Sequence, residues 1–461
     1  MKKDLIVIFT YKYPFQPPTE QFLDDELRFL AEEGADILLV PSAREKKDAL
    51  YPFPGTKSNI SVRAIERSGR LRETCTGLLS TAVHIRYPWN DVRKLLKEPQ
   101  VRNKTHAIKE TLKEYVQAMA LFREFVRQIP DEILRDRSRI ILYSYWLNPV
   151  AAAEALFRRH LKKRYSVPVA AYARSHEDTE NASLTGDLFR GMDHYRPCLA
   201  LLNEGLDAVF PISRNGRESL MKDGILRAET CRLGVKKQAP FLPADDHIPL
   251  VVSCSVMIVN KRVEKIAELL SHVPREIRWI HFGGGETEQT VRDYCEKHLH
   301  GNIHWELHGW TAHDAILDFY RTEKPDIFIN ASRLEGIPVS IMEAMSCSIP
   351  CAATDVGASG EIVSDGRNGF LLPVDFDVRE TARKLDDYLS APAERKNRMR
   401  KNAYETFEQD YDSAVNYAAF ARRILSGSQN ARETIPGKKD ANLSQEPSIA
   451  DAQEKDNREL L

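Results

Sequence analysis

The chain has 461 residues and is 42% hydrophobic, enough for globular folding and too long for one ordinary core, so two domains are expected. Its formal net charge of −1 argues against a general nucleic-acid-binding protein, because such proteins are usually strongly basic. Seven cysteines without the regular spacing of a disulfide framework indicate reduced thiols and a cytoplasmic location.

The first part of the chain alternates strand-like and helix-like segments, the pattern of an open parallel sheet. A helix is predicted over 21–33, where leucines recur on one face and Gly34 follows at a favourable C-terminal position. Residues 71–134 are highly charged with a helical pattern, and we interpret them as helical insertions. Strands are predicted over 5–9, 37–40, 60–64, 140–143, 167–172 and 208–212.

A second alternating half follows a proline-containing stretch, 236–249, which is predicted to be an interdomain linker. The two halves predict an α/β protein with two Rossmann-like domains facing across a cleft, over 1–236 and 237–403. A helix is predicted over 404–425, and 426–461 has the polar composition of a disordered tail. The strands predicted in the second half cover 250–254, 278–282, 303–307, 326–330 and 350–354.

The most informative segment places one carboxylate, Glu335, in a loop that opens a helix, and a second, Glu343, eight residues on and about two turns inside. Pro338 suits the first helical position, and Gly336 lets the backbone approach a ligand closely. The free N–H groups of a first helical turn form an anion site. A phosphate there, flanked by two carboxylates that accept from sugar hydroxyls, is what a nucleotide-sugar needs.

The segments around this helix extend the pattern over roughly fifty residues. In order they are the strand at 326–330, the E-x7-E helix, a strand at 349–354, Gly-Glu-Ile-Val at 360–363 and Asn-Gly-Phe at 368–370. The order resembles the C-terminal, nucleotide-sugar-binding half of glycosyltransferase family 4, the retaining enzymes with the GT-B fold. The resemblance implies sugar transfer from a UDP- or GDP-sugar, and a terminal helix that crosses back to the first domain.

The resemblance also implies which residues bind the donor. Lys261, alone or with Arg262, would clamp the diphosphate, although Val256 stands where many relatives carry an arginine. Glu343 would accept hydrogen bonds from the ribose diol, and Glu335 would meet hydroxyls of the transferred sugar. The remaining donor-binding candidates, mostly through backbone contacts, are Gly284, Gly285, His308, Gly309, Trp310, Gly336, Ile337, Pro338 and Val339.

His176 follows the strand predicted at 167–172, in a segment that resembles the family's Arg-Ala-His-Gly stretch. By resemblance it would lie beside the anomeric carbon and bond to the donor sugar. Retention in this family is thought to need no protein nucleophile, so Glu335 is not assigned as one. Because Lys261 and the dipole of the helix can neutralise a diphosphate, we expect no metal and no other cofactor.

Residues 9–23 and 141–146 resemble segments of bacterial capsule and exopolysaccharide transferases, in which the first loop binds the acceptor. Pro17, Pro18 and Glu20 are therefore the acceptor-region candidates, and a cell-surface glycan or lipid-linked saccharide is the expected acceptor. A basic cluster at 158–164 would suit peripheral contact with anionic lipid at the cytoplasmic membrane face, and a solvated helix face is the alternative.

Two other functions stay open. One is a Rossmann-type oxidoreductase, which would need a glycine fingerprint directly after the first strand. Residues 9–13, at that position, are Phe-Thr-Tyr-Lys-Tyr and include no glycine. A catalytically silent relative could act as a binding partner or chaperone of an active transferase. The departures at Val256 and around His176 keep that second alternative open.

Overall fold

The computed structural model describes residues 2–15, 20, 23–43, 48–50, 59–66, 69–97, 103–176, 196–238, 243, 247–299 and 301–427. Pro17 and Pro18, much of the predicted linker and nearly all of the predicted tail lie outside these residues. No helix in the described part of the chain is both long and apolar enough to cross a membrane.

The first half is built on a six-stranded parallel sheet with the strand order β3-β2-β1-β4-β5-β6. Its strands are β1 (Leu5–Thr10), β2 (Asp36–Pro41), β3 (Ile60–Val62), β4 (Ile140–Ser144), β5 (Val169–Ser175) and β6 (Ala208–Pro211). Its helices are α1 (Leu23–Glu32), α2 (Arg70–Val83), α3 (Arg86–Lys97), α4 (Lys104–Gln128), α5 (Asp131–Leu134), α6 (Pro149–Arg164), α7 (Leu199–Gly205) and α8 (Arg214–Lys222).

The second half repeats the design with the order β12-β11-β10-β7-β8-β9, again parallel throughout. Its strands are β7 (Leu250–Cys254), β8 (Ile277–Phe282), β9 (Ile303–Leu307), β10 (Ile327–Asn330), β11 (Cys351–Thr354) and β12 (Gly369–Leu372). Its helices are α9 (Val263–Leu270), α10 (Glu288–His298), α11 (His313–Glu323), α12 (Val339–Ser346), α13 (Ser359–Ile362), α14 (Val378–Leu389), α15 (Ala393–Asp410) and α16 (Ser413–Ser426).

The predicted fold class is confirmed: two doubly wound parallel sheets carry helices on their faces. The near-continuous apolar strands follow from burial on both sides, and β1 and β4 are buried over their whole length. The exact domain boundaries stay predictions. The strand order reverses between β1 and β4 in the first sheet and between β7 and β10 in the second. In open parallel sheets, ligands bind in the crevice at the carboxyl ends of the strands beside such a reversal.

The single helix predicted over 404–425 is wrong, because two helices cover this region. α15 ends at Asp410, and α16 begins at Ser413 after Asp412, whose carboxylate accepts from the Ala414 N–H as an N-cap. An aspartate whose side chain satisfies the first turn of a new helix favours a restart over continuation.

The second of these helices, α16, packs against the first half. Its Phe420 lies under the Arg174 guanidinium, 4.5 Å from the ring centre, and Arg174 forms a fully buried ion pair with Glu26 at 2.6 Å. Arg174 also donates to the Tyr143 hydroxyl at 2.8 Å. Removing one partner of such a buried pair leaves an uncompensated charge, so this contact helps to hold α16 against the first half.

A second contact between the halves involves Glu361 of α13. Its two carboxylate oxygens accept from the backbone N–H groups of Arg214 and Asn215, at 3.1 and 2.7 Å. These N–H groups open α8, so a carboxylate of the second half satisfies the positive end of a helix of the first. Nearby, Ile212 packs in the same apolar cluster as Ile337, which precedes α12.

Candidate active site

The loop 331–338 connects β10 to α12 and is held from several sides. Arg262, which is 4% exposed, donates to the backbone carbonyls of Ala331, Ser332 and Val374 at 2.6, 3.3 and 2.8 Å. The Thr354 hydroxyl donates to the Ser332 carbonyl at 2.6 Å. The backbone of the loop is therefore fixed before any ligand arrives.

Gly357 shows how closely this loop is packed. Its φ of +55° lies in the left-handed region, and an added Cβ would meet the Glu335 carbonyl oxygen at 1.7 Å. Any side chain here would displace the backbone of the loop, so glycine is required.

Glu335 is 8% exposed and is the acceptor for three donors, all on Oε1. Lys261 Nζ lies at 2.6 Å, Asn330 Nδ2 at 3.1 Å and Ser332 Oγ at 2.5 Å. The Asn330 side chain is itself oriented by the Ser332 N–H, which donates to its Oδ1 at 3.0 Å. Three donors on one oxygen hold the carboxylate in one orientation, and they leave Oε2 for a further partner.

Lys261 and Arg262 follow β7 in a short 3₁₀ turn that precedes α9, but they point to different places. The Lys261 side chain is 23% exposed and ends at Glu335. The Arg262 guanidinium is buried on the carbonyls of loop 331–338, with Asp375 3.6 Å away. We therefore correct the assignment of Arg262: its hydrogen bonds support the loop, and it does not offer its charge to a ligand.

Pro338 is the N-cap of α12 and not its first residue, since its ψ of 102° is extended and Val339 begins the helix. Glu343 is accordingly the fifth residue of the helix, in its second turn. The N–H groups of Val339 and Ser340 have no partner within a helix that begins there. Ile337 is buried in the core, so it can meet a ligand only through its backbone.

Glu343 has a partner that the sequence analysis did not find. His313, the first residue of α11, places Nε2 2.7 Å from Glu343 Oε1. This hydrogen bond is the main cause that raises the pKa of His313 above its ordinary value of 6.5. The two residues are 30 positions apart and belong to no spacing motif, so only the fold brings them together.

The glycine-rich turn after β8 meets the loops that follow β7 and β9. Gly283 has a φ of +118°, and a Cβ there would lie 2.0 Å from the Ser255 carbonyl oxygen. Its N–H donates to the Gly309 carbonyl at 2.8 Å, and the Gly284 carbonyl accepts from the Met257 N–H at 2.9 Å. The turn thus brings three loops together at the carboxyl end of the sheet, where ligands bind in such folds.

The segment His308-Gly309-Trp310 lies at the rim of this loop cluster. His308 Nε2 is 2.9 Å from Glu306 Oε2, and the Trp310 side chain is 76% exposed. The Trp310 indole also lies close to Gly284, where an added Cβ would meet Nε1 at 3.1 Å. Gly285 is exposed on the same turn. An exposed indole beside these loops is a surface on which an aromatic base can stack.

His176 follows β5 in the first half and is 8% exposed between two aromatic rings. Its ring centre lies 4.7 Å from that of Tyr145 and 4.6 Å from that of Trp146. Burial, together with the charge of Arg174, lowers the pKa of His176 to about 3, against a hydrogen bond to the Tyr145 backbone. Because Nε2 is buried and has no partner, Nδ1 makes that bond, and neutral Nε2 is left to accept from a hydroxyl.

Glu20 is 1% exposed, and its carboxylate accepts from four donors. The backbone N–H groups of Tyr11, Lys12 and Tyr13 lie at 2.8 to 2.9 Å, and Trp146 Nε1 lies at 2.6 Å. Glu20 therefore organises the loop after β1 and is not an exposed acceptor ligand, which corrects that part of its assignment. Pro17 and Pro18 lie outside the described residues.

Comparison with known proteins places these features in a family context. Residues 236–406 match the family model described as glycosyl transferases group 1. An uncharacterised glycosyltransferase of Methanocaldococcus jannaschii is 29% identical over 36% of this chain and 45% of its own length. The O-antigen biosynthesis glycosyltransferase WbnH of Escherichia coli is 27% identical over 39% of this chain and 54% of its own. The chain thus spans about half the length of these relatives.

Solved structures match over nearly the whole chain. HepE of Anabaena in complex with UDP and glucose has a TM-score of 0.59 at 13% identity, covering 92% of this chain and 99% of that one. The lipopolysaccharide outer core galactosyltransferase WaaB has a TM-score of 0.60 at 14% identity, covering 92% and 100%. The chain has the two-domain GT-B fold of these structures, and its residues 236–406 are similar to the group 1 glycosyl transferases.

Proposed function

We propose that this chain is a retaining, metal-independent glycosyltransferase that moves a hexose-type sugar from a UDP- or GDP-sugar to a cell-surface glycan or lipid-linked acceptor. The observation that carries the proposal is the arrangement around the N-terminus of α12. Glu335 and Lys261 meet at 2.6 Å on one side of this helix end, and Glu343 follows in the second turn.

The chemistry of that arrangement fits a nucleotide-sugar. The diphosphate would take the first-turn N–H groups of α12 and the Lys261 ammonium, which together stabilise the charge that develops on the leaving group. The Glu343 carboxylate would accept from the ribose diol, and Glu335 Oε2 from a hydroxyl of the transferred sugar. These roles need no cofactor, and the helix end with Lys261 supplies the positive charge that a metal would otherwise provide.

The first half would supply His176 and the acceptor side of the cleft. Neutral Nε2 of His176 has no partner in the structure and carries no proton at ordinary pH, so it would accept from a hydroxyl of the donor sugar and not protonate the leaving group. Glu335 is held by three donors and is not assigned as a nucleophile, in keeping with retention without a covalent intermediate. The relatives' cell-surface roles are the ground for the acceptor class.

The proposal is tested by incubating the full chain with a panel of UDP- and GDP-sugars and measuring release of the nucleoside diphosphate. We expect turnover with at least one donor, and its loss in Glu343→Ala. The matched control is Glu323→Ala, a surface glutamate of α11 whose ion pair with Arg278 lies outside the site. Absence of both nucleotide binding and turnover across the panel would favour the alternative of a silent transferase-like partner. Wild-type turnover in Glu343→Ala would overturn the site.

A further inference from the structure

Helix α2 packs against α4 through its smallest residues, the reverse of an ordinary amphipathic helix. Gly77, Ser80 and Thr81 are buried, and a Cβ on Gly77 would meet the Val116 carbonyl oxygen of α4 at 2.4 Å. The large side chains of the same helix therefore lie on its outer face. Apolar side chains that stay in water do not contribute to the stability of the folded chain by itself, because no apolar surface is removed from water.

The exposed side chains continue through the turn into α3. We call this set the apolar ridge: Leu78, Leu79, Val83, Ile85 and Trp89, which are 55%, 70%, 80%, 58% and 60% exposed. They fall within twelve consecutive positions, and the Trp89 N–H donates to the Ile85 carbonyl one turn back. A concentration of this kind marks an interaction surface, whereas single exposed apolar residues need no explanation.

The charge beside the ridge is basic. Residues 70–97 hold six basic and two acidic residues, although the whole chain has a net charge of −1. One of the two acids, Asp91, is buried and accepts from the Tyr115 hydroxyl at 2.8 Å. Arg93 and Lys97 are exposed on α3 at helical spacing from Trp89, so they lie on the same side of the helix.

We propose that the apolar ridge inserts into the interfacial region of an anionic lipid bilayer, with Arg93 and Lys97 on the lipid head groups. Aliphatic side chains with a tryptophan and flanking basic residues form the composition that anchors a helix pair in a membrane interface. Each basic residue near an anionic surface adds to that attraction. The ridge lies outside the donor site, so the proposal stands independently of the transfer reaction.

We place the lipid contact at the ridge and not at the basic cluster 158–164, because the arginines of that cluster have partners within the protein. Arg158 donates to both carboxylate oxygens of Asp207 at 2.6 and 2.7 Å, and Arg164 is paired with Asp131. Arg159 donates to the Tyr87 hydroxyl at 3.1 Å. These arginines are engaged within the protein, and Lys162 and Lys163 of the same helix are exposed, which fits the alternative of a solvated helix face.

Flotation of the full chain with vesicles tests the proposal. One set contains equal parts of phosphatidylglycerol and phosphatidylcholine, and the other contains phosphatidylcholine alone. We expect binding to the anionic set, weakened at least about tenfold in the double variant Leu79→Ser/Val83→Ser. In Arg93→Gln/Lys97→Gln we expect the affinity for the anionic vesicles to fall about fivefold for each charge removed. The matched control, Met221→Ser/Leu226→Ser, removes two exposed apolar side chains elsewhere on the first half.

Two further measurements keep the outcomes distinct. The thermal midpoints of all variants should equal that of the wild type, since every substituted side chain is exposed. The release of nucleoside diphosphate from a soluble donor should also be unchanged. Equal vesicle binding by wild type and Leu79→Ser/Val83→Ser would overturn the proposal. The proposal would also be overturned if the wild type formed an oligomer that does not bind vesicles and the ridge variants were monomeric in sedimentation. In that case the ridge would contact a second copy of the chain and not a bilayer.

Discussion

Lys261 Nζ and Glu335 Oε1 lie 2.6 Å apart, although the proposed reaction assigns the first residue to the diphosphate and the second to the transferred sugar. The pair therefore neutralises itself when no donor is present. In the proposed complex the diphosphate forms an ion pair with Lys261, and a sugar hydroxyl donates to Glu335 Oε2. Each charge then has a second partner, supplied by the donor. The two residues should behave as one unit in mutational tests.

Lys261→Ala is expected to lower kcat/KM by about 10²–10³-fold, because the charge that stabilises the departing diphosphate is lost. Glu335→Gln should lower it as well, since the amide cannot satisfy Lys261 in the same way. The double variant should lose much less than the product of the two single losses. Steady-state kinetics on the donor identified by the panel measures all three. Fully multiplicative losses would show that the two side chains act separately.

Nucleotide affinity should depend on the protonation of His313. In the free protein Glu343 raises the pKa of His313 above 6.5, with Asp314 adding to the rise and burial and Lys236 opposing it. If the ribose diol takes the Glu343 carboxylate, the pKa of His313 falls towards its ordinary value in the complex. Binding then releases protons, and affinity rises with pH between 6.5 and the free-protein pKa.

Calorimetry of UDP or GDP in buffers of different ionisation enthalpy measures this proton release. We expect a larger proton release in the wild type than in His313→Asn, because the terminal phosphate of the nucleotide, whose pKa is about 6, titrates equally in both. The same sign applies to stability: the His313–Glu343 pair stabilises the fold below 6.5 and less as the pH rises through the raised pKa. At a site this exposed that contribution is under about 1 kcal/mol. Proton uptake on binding would contradict the assignment of Glu343.

His176 should not appear in the pH profile of the reaction. With a pKa of about 3, its ring is neutral throughout the range in which the enzyme works. We expect His176→Ala to lower kcat by about 10²-fold through lost orientation of the donor sugar, and the profile between about pH 5 and 9 to keep its shape. His176→Gln, which retains an acceptor, should recover part of the loss. A limb of the wild-type profile that disappears in His176→Ala would show that the ring titrates.

Val256→Arg should strengthen donor binding. Val256 is 39% exposed after β7, at the position where many members of family 4 carry an arginine next to the diphosphate. A second cation there is expected to lower KM for the donor about fivefold with little change in kcat. The matched control is Val259→Arg, on the same loop and 64% exposed. An equal effect of both substitutions would indicate general electrostatic attraction and not a diphosphate contact.

The sequence was sufficient for the fold class and for all the strands except β12, and insufficient for the helix ends and for the direction of several side chains. Strand periodicity and the E-x7-E spacing are local properties, so they predicted both sheets and the helix that carries Glu343. Lys261 and Arg262 are neighbours with the same charge, and only the carbonyls of loop 331–338 decide that Arg262 turns inward. His313 reaches Glu343 across 30 positions, a contact that no local pattern encodes.

One correction had a signal in the sequence, and a second did not. Asp412 followed by Ser413 is a typical N-cap, and it would have divided the helix predicted over 404–425. Pro338 after Ile337 is compatible with either the N-cap or the first position, and the extended backbone of the N-cap decides for the former. By contrast, one of the four donors to Glu20 is Trp146, which lies 126 positions away and which no local pattern indicates.

The most direct test of the donor site is calorimetric titration of UDP and GDP into the wild type, Lys261→Ala, Glu343→Ala and the control Glu323→Ala. The account predicts that the wild type and the control bind one of the two nucleotides equally tightly, and that each site variant binds it at least about tenfold more weakly. If the wild type bound neither nucleotide, or if both site variants bound as tightly as the wild type, the diphosphate would not dock at the N-terminus of α12.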